Sequence, residues 1–346
     1  MITAFSILEM GNLSEMELVE RARSGDARAF ADLVGPYRHE LLIHCYRILG
    51  SLADAEDALQ ESLTTAWTGL QGYEGRASMR TWLYKIATTR CMNMLRSASR
   101  RAAAKRPDLD FEPPEPSRLG EVLWLEPFPD ILLQEIPDTA ADPQAKYELR
   151  EAISLAFITA LQVLPPRQRA ALILSDVLEF SAREVAQMLD TTEHSVYAQV
   201  KRARSTLAKQ IPESQPPALP NSPDERRVLS QLVRAWEECD TEALVALMTD
   251  DVWLRMPPNP LEYQGRELAW RWFATIAFRD GRRFRLIPTR ANGQPAYGIY
   301  LHSELSRTAH AFGLVVITLT GDRVSAITKF ENGVMSRFGL PRTVTG

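Results

Sequence analysis

Apolar residues recur at intervals of three and four through the first hundred positions. Phe30, Leu33, Tyr37, Leu41, Leu42, Tyr46 and Leu49 predict an amphipathic helix opened by Asp26 and ended by Gly50-Ser51. Ser14-Glu-Met-Glu17 has the spacing of a capping box and predicts a shorter helix ahead of it. A third helix gathers Leu59, Leu63, Ala66, Trp67 and Leu70 on one face, and a fourth turns Leu83, Ile86, Ala87, Met94 and Leu95 inward. Together these predict an all-α bundle from about residue 13 to 101, large enough to fold alone.

The same rhythm returns between residues 144 and 211. It predicts helices over 148–163, 167–178, 182–189 and 193–209, the third started by the capping box Ser181-Ala-Arg-Glu184. Asp190-Thr191-Thr192 makes a tight turn between the last two, and Val185, Ala186, Leu189, Val196 and Val200 face inward. Two helices joined this closely describe a helix-turn-helix. After a spacer over 212–223 with five prolines, the pattern becomes mixed. Helices are predicted over 225–248 and 265–278, and Pro257 to Pro260 reads as a loop. Alternating strands are predicted over 252–256, 284–289, 296–303, 311–320 and 323–330, the last two joined by Gly321-Asp322. That order is α+β. The predicted boundaries are therefore 13–106, 107–143, 144–211, 212–223 and 224–338.

The chain of 346 residues, 45% hydrophobic and 24% charged, has the composition of a multidomain soluble protein. Its net charge of −4 conceals strong local asymmetry. Asp54, Glu56, Asp57, Gln60 and Glu61 cluster on the early turns of the third helix. From Arg76 to Arg106 there are nine basic residues and no Asp or Glu. Lys85, Thr89, Asn93 and Arg96 line up on one helical face, interleaved with Tyr73, Trp82 and Tyr84. Cations neutralise phosphate, Asn and Thr read base edges, and rings stack on exposed bases, so this stripe has the chemistry of a nucleic-acid surface.

Residues 107–143 invert the charge, with ten acids against one base, Arg118, and eight prolines. A plain disordered acidic linker is one reading. Leu123-Trp124-Leu125-Glu-Pro-Phe128 forms an apolar island within it that is expected to dock. No apolar run reaches membrane-spanning length, the first residues lack a signal-peptide pattern, and a cytoplasmic location is expected. Cys45, Cys91 and Cys239 fit neither a disulfide framework nor a zinc site, and neither metal nor cofactor is implied.

"DAEDALQESLTTAW" followed by "YEGRASMRTWLYKIATTRCMNMLR" resembles the signature of the extracytoplasmic-function group of bacterial sigma factors. The resemblance implies that Asp54, Glu56, Asp57, Gln60 and Glu61 dock on core RNA polymerase. It implies that Arg76, Arg80, Trp82, Lys85, Thr89, Asn93 and Arg96 melt and read the −10 promoter element. "LPPRQRAALILSDVLEFSAREVAQMLDTTEHSVYAQVKRARSTL" resembles the domain of that family that reads the −35 element. The contacts it implies are Thr192, His194, Ser195, Tyr197, Ala198, Lys201, Arg202 and Arg204, Glu193 lying beside them. Asp190 stands where that family usually has Gly, and Tyr197 where a small polar residue is commoner. In such proteins the acidic linker threads the polymerase's RNA path, a sharper alternative to a plain linker.

"AWEECDTEALVALMTDDVWLRMPP" with "YQGRELAWRWF" resembles the SnoaL-like domains of the nuclear-transport-factor superfold, which implies a cone of curved sheet and helices around a pocket. Candidate pocket residues are Trp253, Met256, Trp270, Tyr300 and His302. Asp251, Glu304, His302 and His310 are candidate acid–base groups, with no matched pair identifiable by spacing. The resulting expectation is a non-enzymatic sigma factor whose third domain contacts and regulates the first two, with an unknown small ligand kept open. The alternative is a DNA-binding chain with a working isomerase or cyclase at its C-terminus.

Overall fold

The computed structural model describes residues 14–98, 113–119, 125–133, 152–210, 221–303 and 308–345. In chain order the helices are α1 (Glu15–Arg23), α2 (Ala27–Leu49), α3 (Leu52–Gly69), α4 (Met79–Ala98), α5 (Leu155–Gln162) and α6 (Pro166–Leu172). They continue with α7 (Ala182–Met188), α8 (Glu193–Gln210), α9 (Pro223–Glu237), α10 (Thr241–Ala246) and α11 (Arg266–Trp272). The strands are β1 (Arg118–Leu119), β2 (Met248–Met256), β3 (Asn259–Gln264), β4 (Phe284–Ala291), β5 (Gln294–His302), β6 (Thr308–Thr320), β7 (Arg323–Glu331) and β8 (Thr343–Thr345). The chain divides into two compact units.

The first unit takes in residues up to Leu49, 54–100 and 166–201. Both capping boxes form as their spacing predicts. Ser14 and Ser181 each accept from the backbone N–H three residues on, while Glu17 and Glu184 reach back to the cap N–H. Asp26 Oδ1 accepts from the N–H of Arg28 and Ala29, both at 3.0 Å, and starts α2. Met79, Leu83, Tyr84, Ala87, Cys91 and Met92 are the buried apolar residues of α4. Tyr84, expected among the base-stacking rings, is fully buried instead. Its hydroxyl donates to Glu40 at 3.2 Å, and that contact lets a ring with a polar tip leave water. Cys45 and Cys91 are free and buried, and burial pushes the Cys91 thiol well up.

The second unit holds residues 101–165 and 202–346, with Gly50–Ala53. Its sheet runs β1-β3-β2-β7-β6-β5-β4, with β8 added on β6. All pairs are antiparallel except β2 with β7. Register shifts in β2, β5 and β6 bend the sheet. Helices α9 and α11 close one face: Val228, Leu232, Trp236, Ala269 and Phe273 join Leu254, Ile299, Val315 and Ile327 in one buried cluster. The domain is the α+β arrangement expected, a bent sheet with helices on one face, and the strand pairing among the described residues does not close the expected cone into a barrel.

Several boundaries differ from the periodicity. The helix predicted over 225–248 breaks at Cys239, whose φ is 54°. Asp240 then caps α10 by accepting from Ala243 N at 2.9 Å. An apolar pattern does not register one left-handed residue. Ala152 to Ser154 are not helical, so Ser154 caps a shorter α5, and residues 148–151 lie outside the described set. Strand β3 occupies part of the stretch read as a loop, where Pro258 and Pro260 masked its alternation. Helix α6 gives way to a wider turn over Ile173–Val177, and α11 does the same over Phe273–Ala277.

The described parts of the linker belong to the second unit. Ser117 N donates to Glu262 O at 3.0 Å, Gln264 N donates to Ser117 Oγ at 2.8 Å, and β1 extends the sheet beside β3. From the apolar island, Leu125 and Phe128 are buried. Phe128 N donates to Asn292 Oδ1 and Asn292 N donates to Phe128 O, both at 2.8 Å. Asn292 Nδ2 also donates to Ile153 O at 2.7 Å, and Leu155 N donates to Gln294 Oε1 at 3.2 Å, so the β4–β5 turn holds both linker and α5. Leu123, Trp124, Glu304, the bases from Arg100 to Arg106 and the spacer up to Pro220 lie outside the described residues. Among the described residues no helix is long and apolar enough to cross a membrane.

Candidate nucleic-acid interface

Helix α3 faces solvent with all five of its singled-out residues, Asp54, Glu56, Asp57, Gln60 and Glu61. Its apolar side leaves an open groove of about 650 Å³ lined by Phe30, Leu42, Leu59, Leu63 and Trp67. Glu56, Gln60 and Arg38 stand at the same groove. Phe30 meets Trp67 edge-on, 5.0 Å between centroids. Glu61 forms an ion pair with Arg90 of α4, one of the bases counted in the basic run. An apolar trough with Glu56, Gln60 and Arg38 at its edge suits a partner that brings apolar side chains ringed by polar ones.

On α4 the predicted stripe splits in two. Thr89, Asn93 and Arg96 are exposed, as is Arg76 just ahead of the helix. Trp82 is half-buried against Tyr73, 5.0 Å between centroids. Arg80 and Lys85 are engaged. Arg80 donates to Glu40 through Nε and Nη2, both at 3.3 Å, and its guanidinium lies 4.6 Å from the Phe180 ring centre. Lys85 Nζ donates to Asp190 Oδ1 at 3.0 Å, and Thr81 Oγ1 donates to Glu184 Oε1 at 3.1 Å. Phe180 also packs on Tyr84, 5.1 Å between centroids. The helix-turn-helix thus rests on the basic helix through contacts that no local pattern predicts. Glu40, Phe180, Glu184 and Asp190 lie 40 to 105 positions from their partners, a separation across which periodicity carries no signal. The Ser181 hydroxyl, more than Thr81, holds the Glu184 carboxyl below the usual range, which keeps it an acceptor.

Asp190 takes φ 46°, the left-handed turn for which Gly would be the easier residue. Thr192 Oγ1 accepts from Ser195 N at 3.2 Å and opens α8. Thr192, His194, Tyr197, Lys201, Arg202 and Arg204 are exposed, and Ser195 and Ala198 half-buried. Tyr197 is 65% exposed, a large ring left in water.

Residues 33–101 match the Sigma-70 region 2 family, and residues 154–207 match Sigma-70 region 4. The ECF RNA polymerase sigma factor SigG of Mycobacterium tuberculosis is 38% identical over 330 residues, covering 92% of this chain and 85% of that protein. This chain belongs to the ECF RNA polymerase sigma factors. A shorter relative, SigW of Bacillus subtilis, is 27% identical over 193 residues; the match takes 94% of it but 56% of this chain. The crystal structure of the extracytoplasmic function sigma factor SigJ of Mycobacterium tuberculosis shares the fold, with a TM-score of 0.56 at 23% identity. That likeness covers 88% of this chain and 97% of SigJ.

The sigma factor's C-terminal domain holds a cavity of about 290 Å³. Of the five pocket residues expected from sequence, Met256 lines it. Trp253 instead lies under the guanidinia of Arg118 and Arg255, at 4.5 and 4.8 Å. Trp270 is 42% exposed, its indole N–H 3.3 Å from Glu242 Oε1. Tyr300 is buried, with its hydroxyl donating to Pro341 O at 2.8 Å, and His302 is half-buried near the end of β5. The lining residues that sequence reasoning missed include Trp236, Trp272, Arg279, Arg282, Phe312 and Lys329. Trp272 carried a signal: one of two tryptophans at i and i+2 on a helix faces inward, and here it is the second.

Proposed function

We propose that this sigma factor directs promoter-specific initiation in the cytoplasm. In this reading α3 binds core polymerase through its acidic face and groove, α4 takes the −10 element, and α8 takes the −35 element in the major groove. The observation that carries it is the engagement of Lys85, Arg80 and Thr81 by Asp190, Phe180 and Glu184. Asp190, Phe180 and Glu184 cover part of the α4 surface while the contacts of α8 stay exposed, so −10 DNA competes with an internal partner. Polymerase, by holding α3 and the helix-turn-helix at separate places, would release α4. The acidic linker then enters the RNA path, and the C-terminal domain regulates the process by holding linker and α5 at its β4–β5 turn. None of the described acid–base candidates Asp251, His302 and His310 lines the cavity, so the alternative of an isomerase or cyclase gains no support there.

Run-off transcription with purified core polymerase on a library of promoter fragments tests this reading. The full chain and a chain ending at Ile211 should start at shared sites with different yields. No initiation by either, together with no retention of core polymerase, would overturn the assignment. Equal yields would overturn the regulatory part alone.

A further inference from the structure

The cavity of the C-terminal domain carries donors that lack an acceptor among the described residues. Trp236 is 3% exposed, lines the cavity, and its indole N–H has no hydrogen-bond partner among the described residues. Buried indole N–H groups ordinarily find an acceptor. Lys329, from β7, lines the same space. Its ammonium lies 4.7 Å from the centre of the Phe312 ring and has no ion pair among the described residues. Burial pushes the Lys329 pKa down, and Glu331 partly opposes that. Room for this lysine is built in, since a Cβ on Gly313 would come within 3.3 Å of its Cε and Nζ. Arg279 and Arg282 complete a wall with three cations against one acid, Glu331. The remaining lining is apolar and aromatic, with Trp272, Phe284, Ile299 and Phe312 prominent.

We propose that this cavity binds a small hydrophobic carboxylate. The carboxylate sits on Lys329, with Trp236 Nε1 as a second donor, and the ring or chain lies against the aromatic wall. Donors without acceptors call for an anion rather than a cation or an amine. The volume, just below the ordinary range for ligand cavities of about 300–1,000 Å³, admits one or two rings. Pro113 of the linker also lines the cavity, and the adjacent Pro114 carbonyl accepts from the Tyr263 hydroxyl at 3.3 Å. A bound ligand therefore touches the linker. The binding claim stands whether or not the domain regulates transcription.

Calorimetric titration of the full chain tests it with 2-naphthoate, 4-phenylbutyrate and cyclohexylacetate, each against the alcohol of the same skeleton. At least one acid should bind saturably at one site, about tenfold or more tighter than its alcohol. Lys329→Met should bring acid and alcohol to equal affinity with the melting transition unchanged, and Trp236→Phe should weaken the acid several-fold. The acid-to-alcohol ratio on the unaltered chain decides the matter even if a variant misfolds. No saturable binding of any acid, or equal binding of acid and alcohol, would overturn the proposal. Undiminished acid binding to a folded Lys329→Met chain would overturn it too.

Discussion

His44 is wholly buried, with Nε2 2.8 Å from Thr88 Oγ1, and burial pushes its pKa down from 6.5 to about 3. Arg47 and Arg80 add to the shift. Above pH 6.5 the imidazole is neutral in both native and unfolded chains, so it adds no pH dependence. Between pH 6.5 and about 3 the unfolded chain takes a proton that the native state refuses, and stability falls with pH. The loss approaches roughly 5 kcal/mol at full development, and His44→Gln should flatten that part of a urea-midpoint profile. Gly313 is constrained differently. A Cβ there would meet Phe330 O at 2.5 Å, so Gly313→Ala must displace β7 backbone. The expected cost is about 2 kcal/mol or more in chemical denaturation.

At the level of elements, contacts between α4 and the helix-turn-helix divide by burial. The Lys85–Asp190 pair leaves 44% and 78% of its side chains in water, so Lys85→Ala should cost no more than about 1 kcal/mol. Phe180 is 7% exposed and touches both Arg80 and Tyr84. Phe180→Ala should cost about 3 kcal/mol and raise hydrogen exchange along α4. Asp190→Ala should strengthen binding of a −10 single-strand oligonucleotide several-fold without polymerase, because it frees Lys85 for phosphate. Unchanged affinity in a filter-binding assay would argue against masking of α4 by the helix-turn-helix. The elements themselves were largely legible. Capping boxes at Ser14 and Ser181 act over three residues, and α2 and α4 repeat an apolar face over five turns or more. Illegible were the breaks at Cys239 and Ser154 and the strand β3. Each depends on one backbone angle, one cap, or a partner far along the chain.

For the whole molecule, the linker is the informative segment. Its composition alone reads as an acidic polymer, yet its described parts add a strand to β3 and bury Phe128 against Asn292. Asn292 is wholly buried and bonds both linker and Ile153. Asn292→Ala should therefore speed tryptic cleavage after Arg118 several-fold, with the α-helical circular dichroism unchanged. If cleavage stays as slow as in the unaltered chain, the turn does not hold the linker.

Local chemistry determined the sigma-factor motifs, the all-α and α+β classes, and the opposite charges of α3, α4 and the linker. Those properties are written in residue type and spacing over a turn or two of helix. Only the tertiary structure decided that Asp190 and Glu184 occupy the basic helix. It alone decided that Trp236 and Lys329 share a cavity, and that Trp253 and Trp270 stay out of it. Those relations depend on which faces meet after the chain has turned back on itself. A burial pattern with a period of two or 3.6 residues says which side is apolar, but not what lies against it.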